Sequence, residues 1–123
     1  MKRDKIIYWV TTIIVALGGL VAGVIYIISP MMAERFIHLG YPDYFRIELA
    51  SAKIMGAFAL TLPIVSNRIK EWAYAGFAIV FISATIAHVV IDGMAQAISP
   101  LIQLLFLLIS YVYFNKLKDY KSI

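Results

Sequence analysis

Residues 6–28 contain no charged side chain. An α-helix rises 1.5 Å per residue, and about 20 apolar residues cross the hydrocarbon of a bilayer. The run is therefore long enough to span. It is also much longer than the roughly 7–15 apolar residues of a secretory signal, so it reads as a retained first helix despite the basic MKRDK before it. Three further apolar runs follow at 47–65, 72–91 and 98–114. The chain of 123 residues is 63% hydrophobic and 15% charged, against about 45–50% and about 25% in soluble domains. A soluble chain this short has no interior large enough for so much apolar surface.

The expected fold is all-α: one transmembrane domain over 1–123, built as a four-helix up-down bundle. A short helix over 30–39 is expected between the first and second spans. Ser29 precedes Pro30 at its start, and Gly40 follows its end. Met32, Phe36 and Leu39 share one face of it, with Glu34, Arg35 and His38 elsewhere, which suits a helix lying in the membrane interface. Ser99–Pro100 repeats the serine–proline start at the fourth span.

Orientation follows from the basic residues. Lys2, Arg3, Lys5, Arg68, Lys70, Lys116, Lys118 and Lys121 fall on one side of the spans, and only Arg35 and Arg46 on the other. Eight against two places both termini in the cytoplasm, in a cytoplasmic (inner) membrane. The net charge of +4 sits at helix ends, where it sets orientation and meets lipid head groups rather than nucleic acid. The chain has no cysteine, which excludes disulfides, thiolate catalysis and cysteine-bound clusters. Two histidines, one of them in a loop, make no zinc or haem constellation, and no phosphate loop, nucleophile elbow or HExxH is present. Nothing in the sequence marks a catalytic residue.

Five polar residues fall within or beside the spans, all in the outer half: Glu48, Lys53, His88, Asp92 and Gln103. Ionisable groups in hydrocarbon are costly and point to function by default. Lys53 is expected roughly 9 Å below the outer end of the second span. At 100° per residue it points about 140° away from Glu48, so its partner must come from another helix, or it snorkels outward. His88 and Asp92, at i,i+4, share a stripe with Phe77 and Phe81. These seven residues compose a candidate ligand pocket open to the outer leaflet, floored by Phe77 and Phe81. Its donors suit a quinone carbonyl or a lipid head group. Four of the seven also have a structural reading: Glu48 complementing a helix dipole, Asp92 solvated in a loop, Lys53 in a buried ion pair, His88 bonding between helices.

Other features read as architecture. Thr12, Ala16, Gly19, Gly23 and Tyr26 line one face of the first span, and Gly19-xxx-Gly23 permits close helix packing, within the bundle or between copies as a homo-oligomer. Ala52-xxx-Gly56 is the same device in the second span. Trp9, Trp72, Tyr74, Tyr111 and Tyr113 suit an interfacial aromatic belt. Asp43 and Arg46 suit a surface pair worth little.

The segments HLGYPDYFR at 38–46, KIMGAFAL at 53–60 and IKEWAYAGF at 69–77, the histidine at 88 and the SP at 99–100 give the chain its likeness. It resembles the DoxX-like family of small four-helix membrane proteins over nearly its whole length. The family takes its name from membrane partners of thiosulfate:quinone oxidation. The resemblance implies the bundle and a quinone or lipid connection, with quinone the one cofactor suggested. The expected function is an accessory binding subunit for membrane redox chemistry rather than an enzyme. The alternatives are a membrane-protein assembly factor using the Gly19/Gly23 face and, with less support, a small transporter, since no inverted repeat is visible.

Overall fold

The computed structural model describes residues 2–121; residues 1, 122 and 123 of the expected domain and the side chains of Gln96, Asp119, Tyr120 and Lys121 lie outside the described residues. The described chain contains α1 (Lys2–Ile28), α2 (Pro30–His38), α3 (Asp43–Thr61), α4 (Asn67–Ile91), a 3-10 turn (Met94–Ala97) and α5 (Ile98–Lys121), with no strand among the described residues. α1, α4 and α5 are each long and apolar enough to cross a membrane. α3 is not among them, because Asp43, Arg46, Glu48 and Lys53 interrupt its 19 residues.

The helices begin and end where polar chemistry places them, not where hydropathy changes. α3 runs from Asp43 to Thr61 rather than 47–65. Its end is set by Pro63, which drives Leu62 to an extended conformation (φ −80°, ψ 125°). The earlier start puts Lys53 ten residues into the helix, about 15 Å along its axis and nearer mid-helix than expected. α4 begins at Asn67, not 72, because the Ser66 side chain accepts a hydrogen bond from the Ile69 amide at 3.3 Å. α2 keeps Pro30 in its first turn, although Ser29 makes no side-chain cap. Gly40 (φ +92°) then reverses the chain, and the Tyr41 amide bonds the Phe36 carbonyl at 2.9 Å. α5 starts at Ile98, leaving Ser99–Pro100 inside its first turn.

α1 packs on α3 and α5, and α4 packs on the same two helices; among the described residues the backbones of α1 and α4 stay apart, as do those of α3 and α5, and Phe77 of α4 reaches α1 with its ring. Contacts run antiparallel at each seam. Gly19 of α1 meets Lys53 at the middle of α3 and the later Gly23 meets the earlier Ala50, while Thr12, early in α1, meets Ser110, late in α5. Val15, Leu60, Tyr74, Phe77, Phe81, Leu107 and Phe114 form the interior. Ile6, Val10, Ile13, Leu17, Val21 and Val24 of α1 face outward and exposed, as do Ile79, Ile82 and Ile86 of α4 and Leu101, Leu105, Leu108 and Val112 of α5. Apolar residues around the whole circumference suit lipid and not water.

The small-residue face of α1 is used inside the molecule. A Cβ on Gly23 would lie 2.7 Å from Ile54 Cγ1 and 3.0 Å from the Ala50 carbonyl oxygen, and one on Gly19 would lie 3.1 Å from the Phe77 ring. The face weighed for self-association is therefore covered by α3 and Phe77. Tyr74 also departs from expectation. It is not in an interfacial belt but buried, its hydroxyl 2.7 Å from Ser110 Oγ, which in turn lies 2.6 Å from Thr12 Oγ1. This half of the spans is almost purely apolar in sequence, yet its interior holds a hydroxyl chain, because each hydroxyl finds a partner on another helix.

Candidate functional site

Two helix ends are closed by basic side chains from the next long helix. Arg46 of α3 donates to the carbonyls of Tyr26 and, at 3.4 Å, Ile27, the last turn of α1. Lys70 of α4 donates to the carbonyls of Ala59, Leu60 and Leu62 at 2.8, 3.2 and 2.9 Å, closing α3. A helix C-terminus carries unpaired carbonyls and partial negative charge, so both contacts are electrostatically favourable. Arg46 is thus more than half of a surface pair: its side chain is mostly buried, while its partner Asp43, 3.1 Å away, is exposed.

Arg46 fixes the last turn of α1 and with it Tyr26, where four helices meet. The Tyr26 ring packs edge-on against Phe36 of α2 at 5.0 Å between centroids. Its hydroxyl accepts a hydrogen bond from Lys53 Nζ of α3 at 3.0 Å. The same Nζ stands 4.7 Å from the Tyr26 ring centroid and 6.0 Å from that of Phe81 on α4. Lys53 is only 8% exposed, and among the described residues no carboxylate lies within salt-bridge distance of it. An ammonium head has three donors, and the tyrosine hydroxyl takes one.

Phe81 stacks on Phe77 at 5.8 Å and 21°, and Phe77 is wedged between Gly19 of α1 and Gly56 of α3. A groove of about 340 Å³ runs between α3 and α4 from Lys53 and Val80 past Gly56, Phe77 and Gly76 to Trp72. It is almost wholly apolar and opens toward the exposed side chains of Met55 and Trp72. Lys53 therefore connects a lipid-facing groove with a buried polar contact.

The remaining candidates lie elsewhere. His88 Nδ1 and Asp92 Oδ2 are 3.3 Å apart, and Asp92 Oδ1 is 2.8 Å from Nε2 of His38 at the end of α2. The carboxylate accepts from both rings, so Asp92 is a clasp between α2 and the end of α4. Its carboxyl is held below the ordinary value, first by the His38 hydrogen bond. Among the described residues no hydrogen bond or ion pair joins this clasp to Lys53. Gln103 sits at the α1–α5 seam, its amide 3.3 Å from where a Cβ on Gly18 would stand, with its Oε1 buried and unpartnered. Glu48 is exposed and has no polar partner among the described residues. Of the seven candidates, Lys53, Phe77 and Phe81 are gathered at one place and His88 and Asp92 at another; Gln103 and Glu48 join neither.

Sequence reasoning missed Tyr26 and His38 as partners. Tyr26 stood on the inward face of the first span, a usable signal. His38 carried none, since its contact with Asp92 spans 54 residues.

Apolar helices long enough to span, an interior with polar contacts and a short helix held at one end by Tyr26 and Asp92 together define a small helical membrane protein. A family model described as the DoxX-like family matches residues 10–110. The chain belongs to that family. Neither a curated protein nor a solved structure matches it.

Proposed function

We propose that the protein is a non-catalytic binding subunit of a bacterial-type cytoplasmic membrane, taking a quinone-like or lipid amphiphile at Lys53. The four long helices form an up-down bundle with both termini cytoplasmic, supported by the eight-to-two distribution of basic residues. The observation that carries the reading is the Lys53 head, buried, bonded to one neutral hydroxyl and flanked by two aromatic rings. A buried cation without a carboxylate is unfavourable, and a ligand carbonyl or anionic oxygen would supply what the protein omits. The apolar groove leading from it to Trp72 suits the ligand's isoprenoid or acyl tail. Arg46 and Phe36 hold Tyr26 in place, and Tyr26 orients Lys53.

The assembly-factor alternative used the Gly19/Gly23 face, which α3 and Phe77 already cover. The test is a titration of the detergent-solubilised protein with a short-chain benzoquinone and, separately, a single-chain phospholipid. Lys53→Met is expected to weaken the preferred ligand by about tenfold, about 1.4 kcal/mol. Equal affinity of wild type and variant for both ligands removes the proposal.

A further inference from the structure

A second cavity lies at the opposite end of the molecule from the Tyr26–Lys53 contact. It is an open cavity of about 360 Å³ bounded by the start of α1, the connection from α3 to α4 and the end of α5. Lys5, Asn67, Lys70 and Lys118 supply its polar lining, and Trp9 and Phe114 stand among its apolar walls. Such a volume falls within the roughly 300–1,000 Å³ of small-molecule sites.

The roles of the three lysines differ. Lys70 is committed to the α3 carbonyls, so it contributes positive potential rather than a donor. Lys118 is 3.3 Å from Glu71, in a half-exposed pair, and such a pair is weak enough to exchange partners. Lys5 is exposed at the rim. Lys2, Arg3, Arg68 and Lys116 flank the same end in sequence, and α4 begins beside the cavity at Asn67, adding the positive end of its dipole. Next in sequence to the lining residues Lys5, Pro63 and Val65, the apolar Ile6, Leu62 and Ile64 are exposed, and the lining Trp9 is itself 39% exposed. Tryptophan and lysine over aliphatic side chains mark head-group depth in a bilayer. Positive potential, aromatic walls and nearby exposed aliphatic side chains match a ligand with an anionic head and hydrocarbon tails.

We propose that this cavity is a binding site for the phosphate-bearing head group of an anionic phospholipid, in the leaflet that faces the chain termini. Lys5 and Lys118 make the direct contacts, and Lys118 exchanges Glu71 for the phosphate. This site is separate from Lys53 and stands or falls independently of the ligand proposed there.

The experiment is native mass spectrometry of the full-length protein in neutral detergent, with phosphatidylglycerol and phosphatidylcholine of the same acyl chains. Wild type is expected to retain phosphatidylglycerol at least tenfold more tightly. Lys5→Gln with Lys118→Gln lowers that preference to within about twofold of phosphatidylcholine, while Lys2→Gln with Lys116→Gln, an equal charge loss outside the cavity lining, preserves it. Equal retention of the two lipids by wild type overturns the site without recourse to any variant. Equal loss in both double variants reduces the effect to diffuse surface charge and also overturns it. Inorganic phosphate at millimolar concentration is expected not to displace the lipid; displacement would make this a simple anion site and defeat the lipid assignment. Quenching of Trp9 fluorescence by brominated-chain phosphatidylglycerol in a Trp72→Phe background is the second readout, and absence of quenching counts against the cavity.

Discussion

Lys53 Nζ donates to the hydroxyl of Tyr26, 3.0 Å away and 27 residues earlier in the chain. This single bond joins α1 to α3 where a cation would otherwise have no polar contact. Its two partners are not equivalent. Removing the tyrosine hydroxyl strands a buried cation, whereas removing the lysine leaves only a hydroxyl near the end of α1.

Tyr26→Phe is therefore expected to destabilise more than Lys53→Met. The first costs about 1–3 kcal/mol by leaving a buried donor unpaired. The second is near neutral or stabilising, as when apolar residues replace a buried charge. Thermal unfolding in detergent checks the order; a larger loss for Lys53→Met would show that the lysine is a net structural contact.

The glycines supply a second contrast. Gly23→Ala meets Ile54 and the backbone carbonyl of Ala50, and that carbonyl cannot move aside without α3. A cost of about 1–3 kcal/mol is expected for such overpacking. Gly76→Ala meets nothing within 4 Å and is expected to stabilise by up to about 1 kcal/mol through helix propensity. Both are read from the same unfolding measurement.

Ser110 occupies the middle of the hydroxyl chain, between Thr12 and Tyr74. Ser110→Ala removes both of these bonds, while Thr12→Val removes one and leaves Ser110 on Tyr74. The expected losses are about 1–2 kcal/mol for the first and about half that for the second. Equal losses would mean that Tyr74 finds another partner, and a Ser110→Ala/Tyr74→Phe double variant would then show no recovery.

Asp92 governs how α2 is held. Its carboxyl lies below the ordinary value of 3.8, chiefly because His38 bonds it. A depressed carboxyl contributes its stabilisation above the unfolded value and loses it as pH falls through the folded one. The clasp is therefore expected to persist at neutral and mildly acidic pH with respect to Asp92, and to open only below about pH 4. Asp92→Ala opens it at pH 7, seen as faster amide exchange over Pro30–His38 with little change in α5. Unchanged exchange in α2 would show that Phe36 alone holds that helix.

Much of the architecture was legible because lipid imposes simple constraints. The uncharged run in α1 required a spanning helix, and the stripe of Thr12, Ala16, Gly19 and Gly23 fell on the buried side because helical periodicity alone decides which residues share a face. The stripe of Leu107, Ser110 and Phe114 on α5 is buried for the same reason. The i,i+4 spacing of His88 and Asp92 foretold their contact. Helix limits were less legible, since the Ser66 cap and the turn before Pro63 outweigh the hydropathy of neighbouring residues.

What the sequence by itself determined about this protein is the set of apolar helices, their inward faces and the presence of polar groups among them. The tertiary structure alone decided who partners whom: Tyr26 rather than an acid for Lys53, His38 added to Asp92, Tyr74 turned inward to Ser110, and Arg46 and Lys70 closing the helices before them. The reason is geometric. Periodicity specifies an angle around one helix axis, whereas a hydrogen bond between helices depends on the axial offset and approach of two of them, set here by Gly23 against Ala50 and by Phe77 seated between Gly19 and Gly56.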